Sequence, residues 1–427
     1  MRSFEETLQY LYNSLPMYQR VGKAALKFDL TNTLLLCDRL GNPQTKFRSV
    51  HVAGTNGKGS VSHMLASILD ASGYLTGLYT SPHLKSFTER IRVNGRQIPE
   101  SSVVEFVNRI KPEIESIKPS FFELTVAMAF DHFAKEEVDI AVIETGLGGR
   151  LDSTNVILPV LSIITNVGLD HKDLLGETLD RIATEKAGII KAGIPVVISE
   201  HQDSTDRVFQ KIAEERSAAL WFAGDRYEAS MPSDGTLVVL KDSRKHLTLN
   251  HFPLQGWYQC RNLPAVLMAL DVLGNGRIEI DKEAVERGLS EVTVRTGLKG
   301  RWQKLSDKPL IICDTGHNTE GISEVLRQVR TQNYNRLYII LGLVSDKDTD
   351  AVLALFPRDA FYIFCQAQIP RALAADRLLE VAAPFGLNGI AVPIVSDAIE
   401  RARGMAGPDD MIFIGGSTFV VAEIPSL

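Results

Sequence analysis

The residues best suited to chemistry form a glycine-rich segment, GTNGKGS at residues 54–60, between a strand-like run and a helical pattern. Backbone N–H groups in such a turn can surround phosphate oxygens, and the following helix N-terminus adds a favourable field. We expect Lys58 to reach the terminal phosphates and the Ser60 hydroxyl to approach Mg²⁺. The strict pattern G-x-x-x-x-G-K-[ST] is not met, because Val52 and Gly59 stand where it requires Gly and Ser or Thr. A plain glycine turn therefore stays an alternative.

Two further polar residues, Glu144 and His171, each follow a continuous apolar run. Ligands of open parallel sheets bind beyond the carboxyl ends of the strands, so both side chains could bind Mg²⁺ near the phosphates. Imidazole is an unusual Mg²⁺ ligand, and a structural role for His171 is the alternative. Taken alone, Lys186 in its helical stretch is most simply a solvated lysine. The turn at 146–150 (GLGGR) does not complete a dinucleotide pattern, because Leu151 stands where the last glycine is needed.

Apolar runs that read as buried strands alternate with helical patterns over the first 200 residues. The predicted strands are 47–53, 73–81, 138–144, 159–167 and 194–199, and the predicted helices are 4–15, 30–41, 61–71, 122–137 and 179–191. This alternation predicts a parallel α/β sheet covered on both faces. Short alternating segments over 218–252 predict a small antiparallel patch, and a helix resumes at 259–273.

The α/β alternation restarts after a glycine-rich, basic connection, GLKGRW at 297–302. We therefore predict two domains, 1–296 and 297–427. The first is a P-loop-type parallel-sheet domain with the small antiparallel patch, and the second is a smaller Rossmann-like α/β domain. The second has an ordinary size for a domain.

Composition narrows the class of protein. The chain has 427 residues with 46 Lys plus Arg and 52 Asp plus Glu, a net charge of −6, which provides no electrostatic footprint for nucleic acid or a membrane surface. No run approaches the ~18 apolar residues of a membrane span, and the N-terminus lacks the apolar core of a signal peptide. The four cysteines are far apart and form no CxxC, so we expect no disulfide framework, no structural zinc and a cytoplasmic location.

Nine short motifs occur in an order and spacing that carry a resemblance. They are GTNGKGS (54–60), TSPHL (80–84), ERI (89–91), FFE (121–123), ETGLGGRLDSTN (144–155), ITNVGLDH (164–171), EKAGIIK (185–191), GRW (300–302) and DTGHN (314–318). With them the chain resembles the bacterial folylpolyglutamate synthase/dihydrofolate synthase family of the Mur ligase superfamily. The resemblance implies ATP-dependent ligation of L-glutamate to dihydropteroate or to reduced folates through an acyl phosphate, with release of ADP and phosphate. It also implies a monomer.

The resemblance assigns roles to individual residues. ATP contacts fall on Gly54, Thr55, Asn56, Gly57, Lys58, Gly59, Ser60, Asn262, Arg301 and Asp314. Metal ligands fall on Ser60, Ser81, Glu144, His171 and Lys186, the last as a carbamate. Catalytic roles fall on Lys58, Lys186, Asp314 and His317, and folate contacts fall on Phe122, Glu123, Asp152, Ser153 and Thr154. The implied first domain binds ATP and folate, and the second is the glutamate-ligase domain.

Some positions depart from the family pattern, and other functions remain as alternatives. Thr315 and Thr319 stand where the family more often has Gly and Pro, and the segment 15–32 on the implied pterin side fits only loosely. A cell-wall Mur ligase shares the phosphate loop, although TSPHL and FFE are not expected there. A regulatory P-loop NTPase would be stimulated by nucleic acid and independent of glutamate. A non-catalytic nucleotide-binding protein would not need Lys58, Glu144, His171 and Asp314.

Overall fold

A computed structural model describes residues 1, 3–17, 29–232, 235–276, 278–345 and 348–427. The described chain divides into two compact units, 1–253 with 259–297 and 254–258 with 298–427. Most of the loosely matching segment 15–32 lies outside the described residues.

The first unit is built on a mostly parallel sheet. Its strands are β1 (Arg48–Ala53), β2 (Thr76–Tyr79), β3 (Ile91–Val93), β4 (Arg96–Gln97), β5 (Ile140–Glu144), β6 (Leu161–Ile164), β7 (Val196–Ile198) and β8 (Leu220–Phe222). Among the described residues the strand order is β4-β3-β2-β5-β1-β6-β7-β8. Strands β2, β5, β1, β6, β7 and β8 are parallel, and β3 and β4 extend one edge in antiparallel fashion. The predicted parallel α/β sheet is confirmed.

Helices account for much of the rest of the first unit. They are α1 (Phe4–Ser14), α2 (Thr31–Arg39), α3 (Lys58–Ala71), α4 (Glu100–Arg109), α5 (Lys111–Ile117), α6 (Phe121–Lys135), α7 (Lys172–Leu175), α8 (Leu179–Ala187), α9 (Asp206–Glu215), α10 (Gln259–Asn275), α11 (Lys282–Ser290) and α12 (Val292–Thr296). Helix α3 contacts strands β1, β2 and β5 on one side and helices α10, α11 and α12 on the other. Its side chains are therefore buried almost all round.

Helix α3 begins at Lys58, three residues before the predicted start at Val61. Lys58, Gly59 and Ser60 carry no apolar periodicity, so the pattern could not include them in the helix. The chain enters the helix through Gly57, whose φ of 87° is in the left-handed region. As a result, the glycine-rich segment supplies the first turn of the helix as well as the loop before it.

The predicted antiparallel patch is confirmed as three strands, β9 (Tyr227–Ser230), β10 (Leu237–Lys241) and β11 (Arg244–Leu249), in the order β11-β10-β9. The prediction was wrong for 220–222, which form β8 and pair in parallel with β7. Trp221 is 41% exposed between two less exposed neighbours, because β8 is an edge strand. An antiparallel hairpin strand shows the same alternation, which is why the sequence pattern predicted one here.

The second unit contains another α/β sheet. Its strands are β12 (Gln303–Asp307), β13 (Leu310–Cys313), β14 (Leu337–Leu341), β15 (Phe361–Phe364), β16 (Gly389–Ala391) and β17 (Met411–Gly415), and its helices are α13 (Thr319–Val329), α14 (Thr349–Leu353), α15 (Ala375–Ala382), α16 (Val395–Met405) and α17 (Thr418–Ala422). The described strands follow the order β12-β13-β17-β14-β15-β16, with only β12 antiparallel. The apolar strands fit the predicted α/β alternation, whereas the polar β12 and the three-residue β16 contain no apolar run that would predict them.

Separate hydrophobic clusters lie within the two units. In the first unit, one cluster packs α1, α4 and α6 around Phe130 and Phe133, and another packs α8 and α9 around Ile182 and Phe209. In the second unit, two clusters are centred on Ile339 and Ile340, neighbours on β14 that point to opposite faces of its sheet. No helix among the described residues is both long and apolar enough to cross a membrane.

We predict that Gly288→Ala destabilises the first unit. A Cβ at Gly288 on α11 would lie 2.6 Å from the backbone Cα of Ile68 on α3, so the helices must separate. We expect a loss of about 1–3 kcal/mol in the free energy of unfolding, measured by urea denaturation. The control is Gly274→Ala on α10, where a Cβ would meet nothing within 4 Å. That change should be neutral or stabilise by up to about 1 kcal/mol; equal effects of the two changes would contradict the packing argument.

Candidate active site

The loop after β1 is shaped by two glycines that no other residue can replace without strain. Gly54 has a φ of 151° and Gly57 a φ of 87°, both in the region that L side chains rarely adopt. A Cβ at Gly54 would lie 1.8 Å from Oγ1 of Thr165, and one at Gly57 would lie 2.2 Å from Oδ1 of Asn262. The loop backbone is thus in close contact with two polar side chains from other elements.

Residues 165–171, which we call the β6 loop, form hydrogen bonds with residues 54–60, which we call the phosphate loop after its predicted role. The N–H of Thr55 donates to the carbonyl of Asn166 at 2.8 Å, and the N–H of Asn56 donates to Asn166 Oδ1 at 2.8 Å. The N–H of Gly168 in turn donates to the Thr55 hydroxyl at 2.9 Å. Because the N–H groups of Thr55 and Asn56 are used within the protein, the backbone N–H groups that could serve the predicted phosphate site are those of the first turn of α3, which have no carbonyl one helical turn before them.

Two lysine amines meet at one carbonyl oxygen of the phosphate loop. Lys58 Nζ donates to the Gly54 carbonyl at 3.2 Å and to the Thr55 carbonyl at 3.1 Å. Lys186 Nζ donates to the same Gly54 oxygen at 2.7 Å, and Lys186 is only 2% exposed. Burial lowers the pKa of Lys186 well below its usual value, the charge of Lys58 lowers that pKa further, and Asp170 raises it. The interpretation of Lys186 as a solvated lysine, which its helical stretch alone suggested, is therefore wrong.

The Ser60 hydroxyl is oriented by a buried pair of amides on α10. Gln259 Nε2 donates to Ser60 Oγ at 3.1 Å, and Asn262 Nδ2 donates to Gln259 Oε1 at 2.8 Å. Asn262 is among the predicted ATP contacts, whereas Gln259 is not. The two residues are three apart at the start of a helix, a spacing that places them on one face and that could have identified Gln259.

Two predicted metal ligands meet at the ends of neighbouring strands. The N–H of Ser81, just after β2, donates to Oε2 of Glu144, the last residue of β5, at 3.2 Å. Glu144 is 5% exposed. A buried carboxylate beside a serine is an oxygen-rich environment of the kind that Mg²⁺ prefers.

The third predicted ligand, His171, ends the β6 loop in the left-handed region, with a φ of 50°. Its N–H donates to Oδ1 of Asp170 at 2.8 Å, and its Nε2 lies 3.9 Å from the same oxygen. Asp170 is not among the predicted site residues, although an acid next to His171 beyond a strand end is a signal that could have identified it. In the part of the chain that the structure describes, no three His, Cys, Asp or Glu side chains form a metal cluster. A metal here would need hydroxyl, water or phosphate oxygens as well.

The loop that carries the predicted folate contacts is anchored by a buried carboxylate. Asp152 accepts from the N–H of Leu147 at 2.8 Å and from the N–H and hydroxyl of Thr154 at 3.0 and 2.5 Å. Since the Thr154 hydroxyl proton goes to Asp152, Nε2 of His51 at 2.8 Å must donate to Thr154 Oγ1. Burial raises the pKa of Asp152. Ser153 is buried in the short turn Ser153–Val156.

Phe122 and Glu123 open α6 in different environments. A Cβ at Gly146 would lie 2.4 Å from Cζ of Phe122, so this ring lies against the start of the loop at 146–155. Glu123 is 3% exposed and caps its own helix, accepting at Oε2 from the N–H of Ser120 at 2.6 Å and from Nδ2 of Asn32 at 3.2 Å. Its contact with a substrate stays a prediction.

Asp314, a predicted site residue of the second unit, follows β13 and accepts hydrogen bonds at both of its carboxylate oxygens. Asp314 Oδ2 accepts from the Tyr258 hydroxyl at 2.6 Å and from the N–H of Trp302 at 2.7 Å, and Oδ1 accepts from the N–H of Gly316 at 2.7 Å. Burial raises the pKa of Asp314, and burial followed by the Asp314 charge raises the pKa of Tyr258 well above its usual value.

The two remaining predicted residues are Arg301, before Asp314 in the sequence, and His317, after it. The positive charge of Arg301 opposes the rise in the pKa of Asp314. His317 Nδ1 lies 3.1 Å from the Thr315 carbonyl, which orients the imidazole ring. Arg301 is therefore close enough to Asp314 to affect its pKa, and His317 lies three residues after Asp314 along the chain.

The fold and these two groups of residues define a Mur-type ligase. Residues 52–270 match the Mur ligase middle domain, and residues 300–418 match the Mur ligase glutamate ligase domain. The middle-domain match covers the phosphate loop, both lysines, Glu144, His171 and Asn262. The second match covers Arg301, Asp314 and His317.

Within that class, the chain belongs to the dihydrofolate synthase/folylpolyglutamate synthase family. It is 33% identical over 416 residues to the dihydrofolate synthase/folylpolyglutamate synthase of Bacillus subtilis, covering 94% of this chain and 95% of that protein. It superposes on E. coli FolC in complex with DHPP and ADP with a TM-score of 0.86 at 29% identity, covering 99% and 96% of the two chains. A bifunctional folylpolyglutamate synthase/dihydrofolate synthase with Mn, AMPPNP and L-glutamate bound gives a TM-score of 0.85 at 26% identity, covering 99% and 97%.

We predict that His51 makes the fold sensitive to acid. Burial and then the charge of Lys191 lower the pKa of His51 from 6.5 to about 3, so protonation favours the unfolded chain. The stabilisation is complete above pH 6.5 and is lost as the pH falls toward 3, by up to about 1.4 kcal/mol per pH unit. His51→Gln retains a donor toward Thr154 and should give a flatter pH dependence of the unfolding free energy below pH 6.5.

Urea denaturation at a series of pH values measures this slope. The control is His251→Gln, an exposed position that should retain the parent slope. A His51→Gln protein with the parent slope would contradict the assignment.

Proposed function

We propose that this protein uses ATP to join L-glutamate to dihydropteroate, to a reduced folate, or to both. The carboxylate acceptor would become an acyl phosphate, which the amine of glutamate attacks with release of phosphate. The observation that carries the proposal is the phosphate loop at the end of β1, where Lys58 and Lys186 share the Gly54 carbonyl. Family membership supports the proposal, and the ligands bound in the related structures, among them DHPP, ADP and L-glutamate, indicate the kinds of substrate we propose.

Phosphoryl transfer to a carboxylate requires positive charge around the phosphate oxygens. We assign that role to Lys58, to the opening turn of α3 and to Arg301. When phosphate enters, Lys58 can exchange two neutral carbonyl acceptors for an anion, which makes a stronger hydrogen bond. The residues 54–60 and Asn262 would then bind the nucleotide, with the Ser60 hydroxyl already oriented by Gln259.

The donor set fits a divalent cation. Ser60, Ser81, Glu144 and His171 would hold it, and Glu144 already lies against the Ser81 backbone. Bound Mg²⁺ would neutralise charge on the phosphate oxygens. Asp170 is placed to orient His171, since it bonds the His171 N–H and lies near the imidazole.

Lys186 is the candidate for carbamylation. Burial lowers its pKa, so the amine can be neutral, and a neutral amine can attack carbon dioxide to form an N–C bond and release one proton. The product is a carboxylate, which converts a cation beside Lys58 into an anionic oxygen ligand suited to Mg²⁺.

We assign folate binding to the loop at 146–155 together with Phe122 and Glu123, and the glutamate end of the reaction to Asp314 and His317. The corresponding domains are 1–296 for ATP and folate and 297–427 for glutamate ligation. We further propose a cytoplasmic monomer without nucleic-acid or membrane partners. The separate, free cysteines support a reducing compartment.

The direct test measures phosphate release with Mg²⁺-ATP and L-glutamate, supplying dihydropteroate in one reaction and tetrahydrofolate in another. Mass spectrometry of the products confirms ligation. We expect glutamate-dependent turnover with at least one acceptor; turnover with both establishes a bifunctional enzyme. Release that ignores glutamate, or that needs nucleic acid, would overturn the proposal.

Lys186→Ala should reduce kcat on the order of 100-fold or more, and Lys186→Arg should not restore it, because a guanidinium cannot form the carbamate. The control is Lys211→Ala, which removes an exposed amine 3.9 Å from Glu215 and should leave kcat unchanged. ¹³C NMR with labelled bicarbonate should detect the carbamate in the parent protein only. Near-normal turnover of Lys186→Arg would refute the carbamate role.

A further inference from the structure

The side of the β6 loop opposite the phosphate loop is held by one side chain. The N–H of Val167 donates to Gln202 Oε1 at 2.8 Å, and Gln202 Nε2 donates to the carbonyl of Val167 at 2.8 Å. Both backbone polar groups of Val167 are thus bonded to a single amide. Val167 itself is 2% exposed, with its side chain in the cluster around α8 and α9.

Val167 stands between the two residues that hold the phosphate loop. Asn166 accepts from the N–H groups of Thr55 and Asn56, and the N–H of Gly168 donates to the Thr55 hydroxyl. The N–H of Val167 lies in the same peptide plane as the Asn166 carbonyl, and the Val167 carbonyl lies in the same plane as the N–H of Gly168. An amide that fixes Val167 therefore fixes the direction of the groups that shape the phosphate loop.

The turn that carries Gln202 is itself anchored. The N–H of Gln202 donates to Asp206 Oδ1 at 2.9 Å, at the start of α9. The other Asp206 oxygen lies 2.6 Å from His201 Nδ1, and His201 Nε2 lies 2.9 Å from Asp225 Oδ1. The His201 ring also stacks on Phe222, with ring centres 4.0 Å apart. Asp206 on α9 and Phe222 on β8 thus anchor the turn that carries the glutamine independently of the β6 loop.

We infer that Gln202 is a positioning residue for nucleotide binding, acting on the phosphate loop through Val167. Only an amide of this length matches the site, since it presents a donor and an acceptor together. A glutamate would place a negative oxygen against the Val167 carbonyl, and a methionine would leave a buried N–H and C=O without partners. The inference rests on the proposed nucleotide site and adds to it a residue that touches neither ATP nor metal.

The test compares Gln202→Met with the parent protein by calorimetric titration of ADP and by steady-state kinetics. We expect the Kd for ADP and the KM for ATP to rise roughly tenfold or more, with the KM for L-glutamate within about twofold. Gln202→Glu keeps the bond from the Val167 N–H but sets a carboxylate oxygen against the Val167 carbonyl, so it should also raise the Kd for ADP and the KM for ATP; it serves if the methionine variant does not fold. The matched control is Gln210→Met, the same change at an exposed position on α9, which should leave all three constants unchanged.

A structural role alone would lower the thermal stability and the active fraction while the folded protein kept its parent Kd for ADP. That result, in either Gln202 variant, would overturn the inference and leave the proposed function intact. A parent protein that binds no ADP would overturn the proposed nucleotide site and this inference with it. The positioning role is supported if the KM for ATP rises while the KM for L-glutamate stays near the parent value in the Gln202 variants, and neither changes in Gln210→Met.

Discussion

The arrangement of the first unit depends on the carbonyl oxygen of Gly54, which accepts from the amines of both Lys58 and Lys186. Burial and then the charge of Lys58 lower the pKa of Lys186 well below its usual value, which favours a neutral amine beside Lys58. The contact joins the end of β1, the start of α3 and the end of α8 at one point.

The elements that keep this contact in place are among the most buried of the unit. Helix α3 lies between the sheet and helices α10, α11 and α12, so the phosphate loop is attached to a helix with little freedom to move. The β6 loop supports it from the neighbouring strand. Asp152 bonds to the backbone N–H of Leu147, and Gln202 bonds to both backbone polar groups of Val167. The loops are therefore shaped by single side chains, while the sheet supplies the frame.

Most of the frame follows from local pattern. The apolar runs at 138–144 and 159–167 became β5 and β6, because a strand buried on both faces needs little more than continuous apolar residues. Short polar strands such as β12 carry no such signal. The edge strand β8 was predicted as part of the wrong sheet, because alternation along a strand reports exposure of one face and not the identity of its neighbour.

The sequence by itself determined the phosphate loop, the acidic and basic residues at the strand ends and the restart of α/β alternation near 297, because each depends on residue type and local spacing. Only the tertiary structure decided that Lys186 is buried against Gly54, that Gln259 orients Ser60 and that Gln202 holds Val167. These pairs are separated by many residues along the chain. Their contacts arise from the order of strands in the sheet and the packing of helices on it, which no local pattern encodes.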